Sequence, residues 1–413
     1  MIIVTDKEKK MMEELGNKVI SELLSNIMEA INKGIVELHD VEIEAEELQI
    51  TLQPMVRRTL KPAVEVVKKK VIEISKLAFE EPKISFPGRV VEVKMGATKS
   101  EGGSRDRVLV LGGHTLPPYY YITGVTQTNP PRFGGDVFDM KISLPRAVRQ
   151  IFGDALDNPV EWAKIWVEKF KAEAINIHLI STDPAIKDTN PQESAKLVEE
   201  IMQQVKVPIV VGGSGNPVKD VEVFKKISDV TEGERVVLNS LNLDMKLEDI
   251  CKHISKKDTV VIDFSPMDLD KAREINRKVY DWIQKDRIIL DLNIGGIGYG
   301  TEYGFTAMER ARLAALIGDT ELQHPFNVGA SNAWGAREAW ITMDPYWGPK
   351  EIRGPLWETL TCIICLLAGA DYFMMLHPTT MKTLMELRES MFSQPKPQLE
   401  DSMKWLSSKL PVI

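Results

Sequence analysis

From Gly135 onward the sequence repeats one two-part phrase: a short apolar run ending in Asp, Asn, Ser, His or Gly, then a longer segment with helical spacing. DVFDMKI, AINIHLIS, PIVVGGS, RVVLNS, VVIDF, RIILDLN, a weaker stretch from His324 to Gly329, and DYFMMLH supply the runs. Apolar runs of this kind are strands buried on both faces, and strands that alternate with helices form a parallel sheet. About eight such units over about 255 residues is the size and count of an α/β protein of the (β/α)8 TIM-barrel class. An open doubly wound sheet is the other architecture the alternation admits. The fullest unit is Asp291 to Leu316, where RIILDLN crosses a turn containing Gly295, Gly296, Gly298 and Gly300 before entering a helix. Asp291 and Asn293, two apart, share one face of an extended chain.

Ahead of the barrel pattern, Met11, Leu15, Val19, Leu23, Ile27 and Ile31 recur every four residues and draw a stripe along a helix from about Asp6 to Asn32. IVELHDVEIEAEELQITL then alternates like two short acidic strands, and a second helix follows Pro62. VVEVKMG and RVLVLGG read as a β-hairpin turning near Glu101 to Gly103, placed to close one end of a barrel. The expected organisation is an N-terminal α+β accessory or docking region (1–81), a hairpin segment (82–130), the barrel (131–395) and a tail (396–413).

Lys plus Arg is 52 against Asp plus Glu 60, a net charge of -8, so no overall basic surface attracts nucleic acid or anionic lipid. Three cysteines fit a reducing compartment, and the N-terminus lacks the pattern of a signal peptide, so cytoplasm is the expected location. The most apolar window, Leu360 to Ala370, is about half the ~20 residues of a membrane-spanning helix.

Barrel chemistry sits at the C-terminal ends of the strands. Read there, the chain offers Asp139, His178, Ser181, Asn216, Asn239, Asp263, Ser265, Asp291, Asn293, Asn327 and His377. Each alone fits a residue tying down a loop, and Asn216 before Pro217 is a good helix cap. Together they make a polar rim suited to a polar heterocycle or the edge of a large cofactor. Gly296 permits close backbone approach, and Tyr299 and Tyr303 stand over the site. Cys362 and Cys365 lie in an apolar helix without a second pair, the six histidines are scattered, and no catalytic triad or zinc spacing is present, so no metal site, cluster or catalytic residue is expected. Trp334, Trp340, Trp347 and Trp357 fall in or beside an unusually long loop, either as core or as a contact surface.

The stretches GATKSEGGSRDRVLVLGG, DNPVEWAK, GGSGNPVKD, FSPMDLDKAREIN, IGYGTEYGFTAMERARLAAL and NVGASNAWGAREAW resemble the small, or delta, subunit of the corrinoid iron-sulfur protein. That family belongs to the acetyl-CoA decarbonylase/synthase system of methanogens and acetogens, and the resemblance spans about Ile84 to His377. It implies a barrel related to the pterin-binding methyltransferases. The partner would be a large, or gamma, subunit bearing the iron-sulfur cluster and a corrinoid domain, with the corrinoid lying between that domain and this barrel's mouth. It also implies acetyl-CoA synthase and methyltransferase components as partners, and methyl transfer between a tetrahydropterin and a nickel site without catalysis by this chain alone. The corrinoid contacts expected on this basis are His178, Ser181, Asn216, Asn239, Ser265, Asp291, Asn293, Gly296, Tyr299, Tyr303 and Asn327. The chain departs from the family pattern at Asp291-Leu292-Asn293-Ile294-Gly295, where Asp-Pro-Thr-Thr-Gly is expected, and at Asn239-Ser240-Leu241-Asn242. A stand-alone pterin-dependent methyltransferase and a scaffold that holds a multi-enzyme complex together are the competing readings.

Overall fold

The computed structural model describes residues 85–121, 129–293 and 295–392, together with Ser21, Glu22, Ser25, Asn26, Glu29 and Lys33. The chain divides into two units, Met1–Pro82 and Lys83–Ile413. In the first, Ser21, Glu22, Ser25, Asn26 and Glu29 are helical, and Lys33 pairs with Glu29 one turn away at 2.5 Å. The rest of the expected first helix, the acidic ribbon, the second helix and the tail from 396 lie outside the described residues.

In the second unit, β1 (Val93–Met95) and β2 (Leu109–Leu111) pair antiparallel. Eight parallel strands then close into a barrel: β3 (Arg132–Phe138), β4 (Ala174–His178), β5 (Ile209–Gly212), β6 (Val237–Leu241), β7 (Val260–Phe264), β8 (Ile288–Asp291), β9 (Phe326–Gly329) and β10 (Ala370–Met375). They neighbour one another in chain order, and β10 pairs back onto β3. The surrounding helices are α1 (Arg146–Phe152), α2 (Pro159–Glu168), α3 (Pro191–Gln204), α4 (Pro217–Val230), α5 (Leu247–Ile254), α6 (Leu269–Tyr280), α7 (Thr301–Leu316), α8 (Lys350–Ala368) and α9 (Pro378–Phe392). Three of them start alike: Asn158, Asn190 and Asn216 each accept from backbone N–H groups of the first turn, and each precedes a proline at the first helical position.

The strand pattern differs from expectation at β3, which starts at Arg132 rather than at Asp136. Two glycines normally argue against a strand, but here packing requires them. A Cβ on Gly134 would lie 2.0 Å from the Tyr372 hydroxyl inside the barrel, and one on Gly135 would lie 2.3 Å from the Trp166 ring on the helix side. Helix α8 also begins earlier than Leu356, at Lys350, and carries Pro355 within it. The missing N–H of Pro355 leaves free only a first-turn carbonyl, that of the exposed Glu351.

The barrel has two unlike ends. Ala174, Val210, Val237, Val260, Ile262 and Ile289 form an apolar cluster with Val93, Met95, Leu109 and Leu111 of the hairpin, so β1 and β2 plug the N-terminal end. Arg105, buried in the hairpin connection, donates to the Met202 and Val205 carbonyls and to Glu234, fastening the plug to the barrel floor. The open end is the other one. Gly134→Ala should lower stability by about 1–3 kcal/mol, the usual cost of overpacking a filled core. Adding Tyr372→Phe, which removes the obstructing oxygen, should recover part of that loss in a denaturation cycle. Additive single-variant effects would contradict the packing.

Candidate functional site

Strand alternation turns every second residue inward, and above the apolar floor those residues become polar. On β3 and β4 they are Asp136, Asn176 and His178. Asn176 Nδ2 donates to Asp136 Oδ1 at 2.8 Å, and the Tyr372 hydroxyl donates to Asn176 Oδ1 at 2.5 Å. His178 Nε2 stands 3.3 Å from Asp136 Oδ1, and the His178 ring stacks on Phe138 with centroids 4.8 Å apart. Asn239 of β6 reaches toward the same region: its Nδ2 and His178 Nδ1 lie 3.6 and 3.3 Å from where a Cβ on Gly212 would be. Across the barrel, Asn327 Nδ2 donates to Asp291 Oδ2 at 2.6 Å, and the Asn293 N–H donates to Asp291 Oδ1 at 3.0 Å.

This layer is not internally satisfied. Among the described residues, Asp136 Oδ2, His178 Nε2 and Asn327 Oδ1 are buried without a hydrogen-bond partner, as are both side-chain polar atoms of Asn293, which lies just past the end of β8 with its Oδ1 2.5 Å from where a Cβ on Gly304 of α7 would be. Buried polar atoms rarely go unpaired, because each costs about 1–3 kcal/mol. Burial also pushes Asp291 up to about 7, opposed by the Asn293 and Asn327 hydrogen bonds. Glu358 on α8, pushed up to about 8 mainly by burial, accepts from the Leu376 and His377 N–H groups and ties α8 to the end of β10. Burial holds His377 down at about 4, and the Trp334 ring stacks on it.

The remaining rim residues divide into two sets. Tyr299 and Tyr303 are well exposed beside the mouth, and a Cβ on Gly296 would lie 2.2 Å from Ala333, so that loop is pressed against the segment after β9. Ser181, Asn216 and Ser265 have local partners instead. Ser181 donates through both N–H and hydroxyl to Asp139, Asn216 caps α4, and Ser265 Oγ donates to the Asp268 carbonyl. Asp263, which the sequence places on the rim, faces the other way. Its parity on β7 turns it toward the helices, where burial leaves its carboxyl without a hydrogen-bond partner and raises its pKa well above the ordinary range. Reading only strand ends overlooks Asp136, Asn176, Tyr372 and Glu358. The available signal was a polar residue inside a run that should be wholly apolar, as in GGDVF and AINIH.

The cysteines are core groups: Cys251, Cys362 and Cys365 are buried and unbonded, and burial pushes Cys251 and Cys365 up to about 12. The tryptophans separate, Trp334 being buried while Trp340 and Trp347 are exposed. Among the described residues no helix is long and apolar enough to cross a membrane, and no group of three or more His, Cys, Asp or Glu side chains could hold a metal ion.

Residues 92–410 match the family model described as the CO dehydrogenase/acetyl-CoA synthase delta subunit. The chain is 43% identical over 328 residues to acetyl-CoA decarbonylase/synthase complex subunit delta 2 of Methanosarcina acetivorans, covering 78% of this chain and 75% of that protein. It is 40% identical over 393 residues to the complex subunit delta of Methanocaldococcus jannaschii, covering 93% of this chain and 95% of the relative. Among solved structures it aligns with a dihydropteroate synthase of Xanthomonas albilineans at 14% identity and a TM-score of 0.46, covering 64% of this chain and 94% of that one.

The raised pKa of Asp291 sets a direction for stability against pH. A folded value of about 7 lies above the ~3.9 of an exposed Asp, so the folded chain retains a proton that the unfolded chain releases. The stabilisation from this group is complete below about pH 4 and is lost as pH rises through about 7. Asp291→Asn should therefore gain on the parent chain by roughly 1–3 kcal/mol between pH 5 and pH 8 in chemical denaturation. An offset that stays constant with pH would contradict the buried carboxyl.

Proposed function

The chain belongs to the CO dehydrogenase/acetyl-CoA synthase delta subunit family, and from that premise we propose that it acts as a partner-dependent subunit of a methyl-transferring complex. Its barrel mouth faces a corrinoid borne by the gamma subunit, which also carries the iron-sulfur cluster. The pair moves a methyl group between a tetrahydropterin and the nickel site of acetyl-CoA synthase. The observation that carries this reading is the unsatisfied polar layer of Asp136, His178, Asn293 and Asn327 beneath an open aromatic rim.

A corrinoid suits that arrangement chemically. It is a wide amphipathic disc with amide arms, and each amide both donates and accepts. The free acceptors Asp136 Oδ2 and Asn327 Oδ1 fit amide N–H groups, and Asn293 Nδ2 fits an amide oxygen. The residues that would hold it are Asp136, Asn293 and Asn327 within the mouth and Tyr299 and Tyr303 on the rim. Bound there, the corrinoid cobalt supplies the methyl-carrying chemistry. Tyr299 and Tyr303 exclude water from the covered face, and the glycine loop lets the backbone approach it. Ser181, Asn216 and Ser265, already engaged locally, would contribute through the loops they fix.

The test is spectroscopic. The full chain and its corrinoid-bearing partner are mixed anaerobically, and the visible corrinoid bands are followed. A stoichiometric pair with bands shifted from those of the free partner is expected. Tyr299→Ala with Tyr303→Ala should weaken the shift several-fold without moving the thermal midpoint, both side chains being exposed. An unchanged shift would contradict corrinoid placement at this mouth, and methyltetrahydropterin binding by the chain alone would favour a stand-alone methyltransferase.

A further inference from the structure

A surface helix of an isolated barrel normally turns charge outward, and α6 does so: Asp270, Lys271, Glu274, Arg277 and Lys278 are its exposed positions. Helix α8 does the opposite. Beyond Glu351 its only charged residues, Arg353 and Glu358, are turned inward and buried. Its outward face carries Ile352, Leu356, Leu360 and Leu367, from 38% to 59% exposed. Four large aliphatic side chains on one uncharged face, from Ile352 to Leu367 of this 19-residue helix, make a strip about 22 Å long at ~1.5 Å per residue. Scattered exposed apolar residues are ordinary, but a contiguous strip marks a protein contact.

Helix α8 also borders the mouth. At its N-terminal end the preceding loop presents Tyr346, 98% exposed, and Trp347, whose ring lies 6.3 Å from that of Trp357 on α8. On the mouth side, the Ile297 N–H donates to Thr361 Oγ1 of α8 at 3.1 Å. The Tyr299 ring covers Gly335 of the same loop, 3.6 Å from where a Cβ would stand. The aromatic rim, this loop and α8 are therefore packed against one another, with exposed Asn332, Arg337 and Asp344 lying between the rim and the Tyr346–Trp347 tip.

We infer that this face, α8 with the Tyr346–Trp347 tip, is where the corrinoid-bearing subunit docks through an uncharged apolar helical surface of its own. The inference rests on the function proposed above and adds the surface to it. Adjacency to the rim decides the occupant. A protein seated on α8 is held at the edge of the mouth, which is where a subunit presenting a corrinoid to that mouth must be anchored. A second copy seated there would bring an identical mouth, not a cofactor, to the rim. The relatives' names describe subunits of a complex, which suits a heterologous contact.

The experiment uses the full chain and the corrinoid-bearing partner. Leu356→Glu with Leu360→Glu places charge at two solvent-facing positions outside the mouth, and pairing is measured by calorimetry beside circular dichroism and thermal midpoint. About a 100-fold loss of pairing affinity is expected with fold and midpoint unchanged, since a desolvated charge at the centre of an apolar contact is strongly unfavourable. Arg277→Glu with Lys278→Glu on α6 should pair like the parent. A second readout is independent of any variant: hydroxyl-radical labelling of Tyr346 and Trp347 in the parent chain should be high alone and suppressed in the pair.

Parent-like pairing by the α8 variant, or undiminished labelling in the pair, overturns this docking face while leaving a shared corrinoid intact. Suppressed labelling in the free chain overturns it differently, assigning the face to a second copy if the mass doubles and to the chain's own N-terminal unit if it does not. Failure of the parent chain to pair at all brings down both the inference and the function it rests on.

Discussion

The Tyr372 hydroxyl, bonded to Asn176 Oδ1 inside the barrel, occupies space that only a glycine at 134 leaves open, and this contact lies on the seam where β10 meets β3. A parallel barrel has no free edge only if its first and last strands register, and here Tyr372 to Met375 align with Arg132 to Gly135. On the other face of the same strand Gly135 admits the Trp166 ring, whose Nε1 donates to the Asp136 carbonyl at 2.9 Å. One glycine pair thus permits closure from inside and helix packing from outside. It also fixes the height at which Asp136 enters the interior.

That height divides the molecule. Below it the strands meet the hairpin in an apolar floor. Above it the interior is built of amides and carboxyls that do not satisfy one another. Such a layer destabilises a barrel that closes over nothing, whereas it suits a mouth completed by a ligand with matching amides. The raised pKa of Asp291 and the buried Glu358 are further signs that the upper half is organised around something other than its own stability. The uncharged outer face of α8, on a helix packed against that mouth, is the docking surface proposed beside it.

The barrel was legible because its signal is repeated: each apolar run followed by a helix repeats the last, and Asn-Pro pairs punctuate three helix starts. The start of β3 was not, since Gly134 is explained by Tyr372, more than two hundred residues away, and Gly135 by the Trp166 ring of α2. The site was partly legible. His178, Asn239, Asp291 and Asn327 converge as their places on the strands suggest, but Asp263 was misplaced by one step of alternation, which local sequence near a strand end does not reveal. Asp136 and Asn176 lie deeper than the strand ends, and Glu358 reaches the top of β10 from a helix. The outward face of α8 lay hidden because an apolar stretch reads as core until the helix is oriented.

The central claim is that this barrel mouth is completed by a corrinoid that a partner brings to it. Amide hydrogen exchange over residues 291–303 tests it most directly, comparing the pair formed with corrinoid-loaded partner against the pair formed with corrinoid-free partner. The account predicts additional protection in that loop only when the corrinoid is present, beyond whatever docking alone confers. Equal protection in the two pairs would mean that the corrinoid does not rest on this mouth, and would contradict it.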